Sequence, residues 1–344
     1  MRRRHTSLLL SVLLAVAAGQ SQLAAATALP GVAATTEELT APQLFAPGVV
    51  SGPANDGSPV FSPDGNTIFF TRTNGNWSAI LESHKIDGQW SKPVIAPFSG
   101  EWADSSMGIS PDGSYLVFSS RRPVTPPAPG TDRKDIHIVA NLWRVDRVGS
   151  GWSKPVCLPD TVNIGPSIWK PSIAANGNLY FVSIDAKGSK RLYSSEFKNG
   201  VYRQAQPLPF SDGTTLDVDP EIAPDESFLV FCSAGRLPGD TLDHLFIVAR
   251  KPDGWGAVMP IRYAGDGPPA YSTDDEPHLG PDRHTLYFSS DRPFPVAYPR
   301  APEQAQQDLK RMDSQGWFGG YANIWYLRLD TYLDAARNAA KGAS

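Results

Sequence analysis

Short apolar runs of strand-forming residues alternate with polar turns along most of the chain, and the same order of signals returns about every 50 to 60 residues. The clearest signal is a tight turn: SPDG at Ser62–Gly65, SPDG at Ser110–Gly113, AANG at Ala174–Gly177, APDE at Ala223–Glu226 and GPDR at Gly280–Arg283. Pro presets φ at the first central position of a type I turn, and Asp and Gly suit the positions after it. Each copy runs straight into TIFFT, YLVFSS, LYFVS, FLVFCS or TLYFSS. These stretches are rich in β-branched and aromatic residues, so each turn marks a hairpin. A third strand is expected at residues 79–85, 141–146, 191–197, 244–250 and 323–329. A Gly–aromatic turn follows four of these, at Trp90, Trp152, Tyr202 and Trp255. It opens a fourth strand carrying Pro93, Pro155, Pro207 or Pro260, which Pro confines to a sheet edge.

Four strands per unit fit the blades of an all-β propeller, because one blade cannot bury both its faces and must stack in a ring. The chain predicts how the ring closes. The last unit stops at its third strand, and residues 41–47 (APQLFAP) precede the first hairpin as an orphan fourth strand. Exchange of that strand gives five complete antiparallel blades. A six-bladed alternative needs a degraded unit hidden in residues 122–140 or 293–322. Both are rich in Pro, Gly and charge, and neither holds a second SPDG-like turn.

Composition adds class and compartment. The chain has 344 residues, a net charge of -4 and no clustered basic face, which argues against a nucleic-acid partner. Arg2, Arg3 and Arg4, an apolar run at residues 8–18 and small residues near Ala24–Ala26 read as an export signal over residues 1–26. A flexible linker over 27–40, the propeller over 41–330 and an Ala-rich tail over 331–344 complete the expected organisation. The apolar run is shorter than the roughly 20 residues of a membrane-spanning helix, so the expected location is periplasmic or secreted. Cys157 and Cys232 fall at different positions of the repeat and lack metal or redox spacing, so two separate thiols are expected.

The units P-x-F-S-P-D-G…F-x-S, followed by an "IWYL/LWRV" strand, resemble the TolB-type β-propeller repeat. GW-S-K-P at Trp152–Pro155 and FSSDRP at Phe288–Pro293 resemble copies from bacterial envelope proteins. The resemblance covers residues 44–329. It implies a propeller, and TolB itself binds envelope partners of the Tol–Pal system. TolB also carries an N-terminal α/β domain, for which this chain is expected to have no room, so a Tol–Pal role is not what the resemblance leads one to expect.

The strand before each SPDG turn is expected to be innermost, so the SPDG turns lie at one end of the channel. The inner-strand entries and the loops after the second strands lie at the other end. Three of those loops are long (121–140, 234–243, 291–322), as binding loops on rigid scaffolds often are. The same end collects Asp56, Asp104, Lys170, Asp217, Asp219, Asp274, Asp275 and Glu276, with Arg72, Arg121, Arg236 and Arg292 opposite and Trp102 and Trp169 alongside. Acids, arginines and aromatics converging on a channel mouth suit a polar ligand. The competing reading is that such Asp and Arg residues pair across neighbouring blades and simply satisfy turns. No cofactor is expected. Calcium would want six or more oxygens and no EF-hand-like loop is present, although the Asp274–Glu276 run with Asp217 and Asp219 is acidic enough to attract a cation.

Two functional classes follow. The first is a non-catalytic module of the bacterial cell envelope that binds an envelope protein or a small polar or carbohydrate ligand at the channel mouth. The alternative is a carbohydrate-active or other hydrolytic enzyme using channel-mouth carboxylates. No catalytic residue is assigned. G-x-S-x-G and H-E-x-x-H are absent, and His84, His137, His244, His278 and His284 are scattered, with His278 alone close to the acids.

Overall fold

The computed structural model describes residues 41–342 except 129, 132–138, 240, 264–271, 293–298, 300 and 316–321. The export signal, the linker and His137 lie outside the described residues. Among the described residues the strands form five antiparallel blades. The inner strands are Asn55–Phe61, Asp104–Ile109, Ile168–Ile173, Leu216–Ile222 and Asp274–Leu279. Each touches the inner strand of the next blade, and the fifth touches the first, so the ring closes.

Closure runs through the expected strand. Gln43–Leu44 pairs antiparallel with Asn323–Arg328, Gln43 opposite Tyr326 and Leu44 opposite Trp325. Phe45 then packs edge-on against Phe61 and Tyr287 at 5.5 Å and against Trp90 at 5.6 Å, joining the first and last blades through one ring. The fourth strand is broken in blades one to four. In blade one, Gln89–Trp90 pairs with the far end of the third strand, and after Pro93 the pair Val94–Ile95 rejoins it. Pro lacks the N–H that an unbroken ladder requires.

Each SPDG-type turn is a type I turn closed by a left-handed residue. In blade one the Gly65 N–H donates to the Ser62 carbonyl at 2.8 Å, and Gly65 has φ 70°. In blades four and five Glu226 and Arg283 hold that conformation instead, each at φ 58°.

At the centre of each blade the second strand supplies a fully buried side chain at one repeat position: Phe70, Phe118, Val182, Phe231 and Phe288. Burying these apolar faces between blades is the main favourable term for the fold. Two helices lie outside the repeat. One, α1 (Pro302–Gln315), falls in the segment before the last third strand, where a sixth blade was the alternative. The other, α2 (Asp330–Gly342), is the Ala-rich tail. Its Leu333 and Ala336 are buried against the core, with Trp255 and Met259 of blade four packed beside them. The tail thus covers part of the outer edge of blade four, where an open strand would otherwise invite pairing. Cys157 and Cys232 are separate free thiols.

Candidate functional site

At or next to the start of the inner strand stands a buried Asp in four blades, and an Arg near the end of the second strand (Arg72) or just past it (Arg122, Arg236, Arg292) neutralises it. Arg72 grips Asp56 with Nε at 2.7 Å and Nη2 at 2.9 Å. Arg122 Nη2 reaches Asp104 at 2.9 Å, Arg236 Nη2 reaches Asp217 at 2.6 Å, and Arg292 binds Asp274. Each guanidinium also lies over the buried ring of its own second strand, Phe70, Phe118, Phe231 or Phe288. Blade three has Ile168 and Val182 at these positions and no such pair. A buried acid without its Arg would be an uncompensated charge. Asp104, Asp217, Asp274, Arg72, Arg236 and Arg292 are therefore held inside blades. Burial pushes the Asp56 and Asp274 carboxyls up, and their Arg partners only partly offset it.

The pairing residue in blade two is Arg122, not its neighbour Arg121. The signal was in the sequence: Arg122-Pro123 and Arg292-Pro293 occupy the same place after Ser-Ser-x. Arg121 is left exposed on the mouth, and its guanidinium has no hydrogen bond or ion pair to a described residue. Trp102 lines neither of the mouth cavities described below.

Two positions further along, every inner strand kinks. The register slips in all five blades, and the residue at the slip takes a left-handed backbone: Ser58 (φ 49°), Ser106 (45°), Lys170 (49°), Asp219 (54°) and Glu276 (51°). Such conformations cost roughly 1–3 kcal/mol each for non-glycine residues and gather at functional sites. The five form a ring around the channel. The Ser58 hydroxyl lies 3.5 Å from that of Ser106, the Ser58 N–H donates to Glu276 Oε2 at 2.6 Å, and the Glu276 N–H donates to Asp219 Oδ2 at 3.3 Å. Glu276 also accepts from the Ser289 hydroxyl at 2.7 Å. Gly57 makes room for this: a Cβ there would lie 2.3 Å from Glu276 Oε2.

The ring is short of positive charge. Lys170 is 1% exposed, and its ammonium has no hydrogen-bond partner among the described residues. It still acts on Asp219 and Glu221 through its field. Burial, then Glu276, pushes the Asp219 carboxyl up to about 6 against the pull of Lys170. Asp275 is raised well above its ordinary value by burial, then by Glu276, Asp219, Asp243 and Asp274. It makes no hydrogen bond or ion pair to a described residue.

Towards the SPDG end lies a second level of the channel. Glu221 Oε1 is 3.0 Å from His278 Nδ1 and accepts from the Leu279 N–H at 3.0 Å, while Oε2 accepts from Ser172 at 2.9 Å. Burial would raise this carboxyl, but His278, by charge and hydrogen bond, and then Lys170 hold it below its usual value. The cavity there is about 120 Å³ and is lined by the SPDG-type turns.

The opposite end is roomier. One cavity of about 360 Å³ is lined by Arg121, Trp169, Trp77, Ser105, Ser106 and Glu276, among others. A second, about 390 Å³, is lined by Asp275, Glu276, Asp291 and Thr273. They share Thr71, Thr73 and Glu276, so they meet over the ring. Of the residues singled out from sequence, the structure brings Arg121, Trp169, Asp275 and Glu276 onto this surface, with Lys170 and Asp219 in the ring beneath. Sequence reasoning missed Ser58 and Ser106, because a serine before an apolar residue carries no mark of a left-handed bulge. Among the described residues no group of three or more His, Cys, Asp or Glu side chains is arranged to hold a metal.

The class of the molecule is a five-bladed β-propeller. Similar solved structures include a putative TolB from Agrobacterium tumefaciens (18% identity, 69% of this chain and 70% of that chain, TM-score 0.45). TolB from Acinetobacter baumannii is similar at 16% identity, over 68% of this chain and 48% of that one, with a TM-score of 0.42. A thermostable family-43 glycoside hydrolase is similar at 14% identity, over 83% and 92%, with a TM-score of 0.47. No family model and no curated protein sequence matches the chain. No helix among the described residues is long and apolar enough to cross a membrane.

Proposed function

We propose that this chain is an exported, non-catalytic binding module of the bacterial cell envelope, and that it takes a small polar ligand at the channel mouth. One observation carries the reading. The two cavities meet over a rigid ring, and their walls hold an uncommitted guanidinium (Arg121), an indole (Trp169) and an uncommitted carboxylate (Asp275). Polar groups without partners on a concave surface are what a ligand satisfies. The export reading rests on Arg2–Arg4 and the apolar run behind them.

Binding is favoured over hydrolysis by the state of the acids. Glycoside hydrolysis needs two carboxylates placed on either side of one bond. Asp56, Asp104, Asp217 and Asp274 are neutralised inside their blades. Glu276 is engaged by Ser58 and Ser289. Asp275 alone faces the cavity without a hydrogen bond to a described residue. The hydrolytic alternative rests on the raised carboxyls of Asp219 and Asp275, which suit a proton donor.

The test is a thermal-shift screen of the purified chain against oligosaccharides, cell-wall fragments and dipeptides, since a ligand of the native state raises Tm. Each hit is followed by calorimetry on Arg121→Ala, Trp169→Ala and Asp275→Asn. The proposal expects weaker binding in these variants and no turnover. Turnover of a glycoside or ester, abolished in Asp275→Asn, would establish the hydrolytic reading instead.

A further inference from the structure

The mouth is polarised. On the side of blade five, Asp275, Glu276 and Asp291 line one cavity. On the side of blades two and three, Arg121 and Trp169 line the other, and Trp77 of blade one projects at its lip with 41% exposure. A neutral sugar would satisfy hydroxyls at either end but leave both charges unpaired. A simple cation would satisfy only the acidic wall, and the acids there are not grouped as metal ligands among the described residues. A simple anion would face the carboxylates.

The Lys170 ammonium is buried in the ring with no hydrogen-bond partner among the described residues; it lines neither mouth cavity and acts on Asp219 and Glu221 through its field.

Resting on the channel-mouth reading, we propose that the ligand is a small zwitterion of the dipeptide kind. Its ammonium lies against Asp275 and its carboxylate against Arg121. The two connected cavities, about 360 and 390 Å³, fall within the range of small-molecule sites. Arg binds carboxylate through two parallel N–H donors, and Trp169 beside it gives an apolar surface for a side chain.

The experiment is calorimetry of the full chain with a panel of glycyl dipeptides, their N-acetyl forms and their C-terminal amides. Calcium chloride and N-acetylglucosamine are run alongside. The proposal expects the free dipeptides to bind, with a loss of about tenfold or more on either N-acetylation or amidation. Asp275→Asn weakens the free dipeptide but not the N-acetyl form further, and Arg121→Ala weakens the free dipeptide but not the amide further. Circular dichroism confirms that both variants fold. If no dipeptide binds, or if blocking either end leaves affinity unchanged, the zwitterion inference fails. If calcium or the neutral sugar binds instead and Asp275→Asn or Trp169→Ala weakens it, the inference fails while the channel-mouth reading stands. If a ligand binds indifferently to all three variants, both fail.

Discussion

Glu276 of the last blade accepts a hydrogen bond from the Ser58 N–H of the first at 2.6 Å, across 218 residues of sequence. The ring is thus joined at its axis by this carboxylate as well as at its rim by the N-terminal strand. Hydrogen bonds to charged acceptors contribute about 1.5–3 kcal/mol net. Glu276→Ala is expected to lower unfolding stability by about that much in urea titration, and Glu276→Gln by less, because the amide still accepts from Ser58. Equal losses in the two variants would show that the carboxylate is not what ties these blades.

The rim closure has its own test. Phe45 touches Phe61, Trp90 and Tyr287 and is only partly buried. Phe45→Ala is expected to cost about 2–3 kcal/mol, at or below the range for fully buried rings. Hydrogen exchange should then rise first in Asn323–Arg328 and Thr285–Ser290. A uniform rise across all blades would mean that the strand does not act locally.

The Arg–Asp pairs and the unpaired acid respond oppositely to loss of charge. Asp104→Ala strands the mostly buried guanidinium of Arg122, and breaking a buried pair costs about 3–5 kcal/mol. Asp275→Asn removes a carboxylate with no paired cation, so at neutral pH it should stabilise by on the order of 1 kcal/mol. Destabilisation by Asp275→Asn would show that the carboxylate has a structural partner.

That stabilisation depends on pH. Asp219 and Asp275 titrate higher in the folded chain than the ordinary aspartate value near 3.8. The folded state therefore binds their protons more tightly than the unfolded state. Their favourable contribution is complete below about pH 4 and is lost as pH rises through the folded values, about 6 for Asp219. The Tm difference between Asp275→Asn and wild type should be near zero at pH 4, grow as pH rises from there towards the raised folded value of Asp275, and level off above it. A difference independent of pH would rule out raised titration of Asp275 as its cause.

The thiols should be inert. Cys232 is fully buried, occupies the repeat position of Thr71, Ser119 and Ser289, and donates to Asp219 at 3.5 Å. Burial, then Asp219, raises its pKa well above the usual thiol value. Cys157 is raised to about 11 by burial and then Asp160. In the native state, Cys232 should react with a thiol reagent only as fast as the chain opens, and reductant should leave Tm unchanged.

Local rules sufficed for the blades. Turn chemistry at Ser62–Gly65 and its four counterparts, strand-forming runs after each, and Pro at the sheet edges set the number and order of strands. The missing fourth strand of the last unit and APQLFAP at residues 41–47 set the closure. These signals sit in neighbouring residues, so a single chain read in order contains them. What only the tertiary structure decided is which charges cancel. Arg121 and Arg122 are adjacent and chemically identical in sequence, yet one is stacked on Phe118 and bound to Asp104 while the other faces the channel mouth. Asp274, Asp275 and Glu276 are consecutive, yet the first is paired within its blade, the second faces the cavity and the third bridges to Ser58. The reason is that a strand turns successive side chains to opposite sides and a bulge adds one more turn. Partners around an axis come from blades remote in sequence, and no local pattern encodes their pairing.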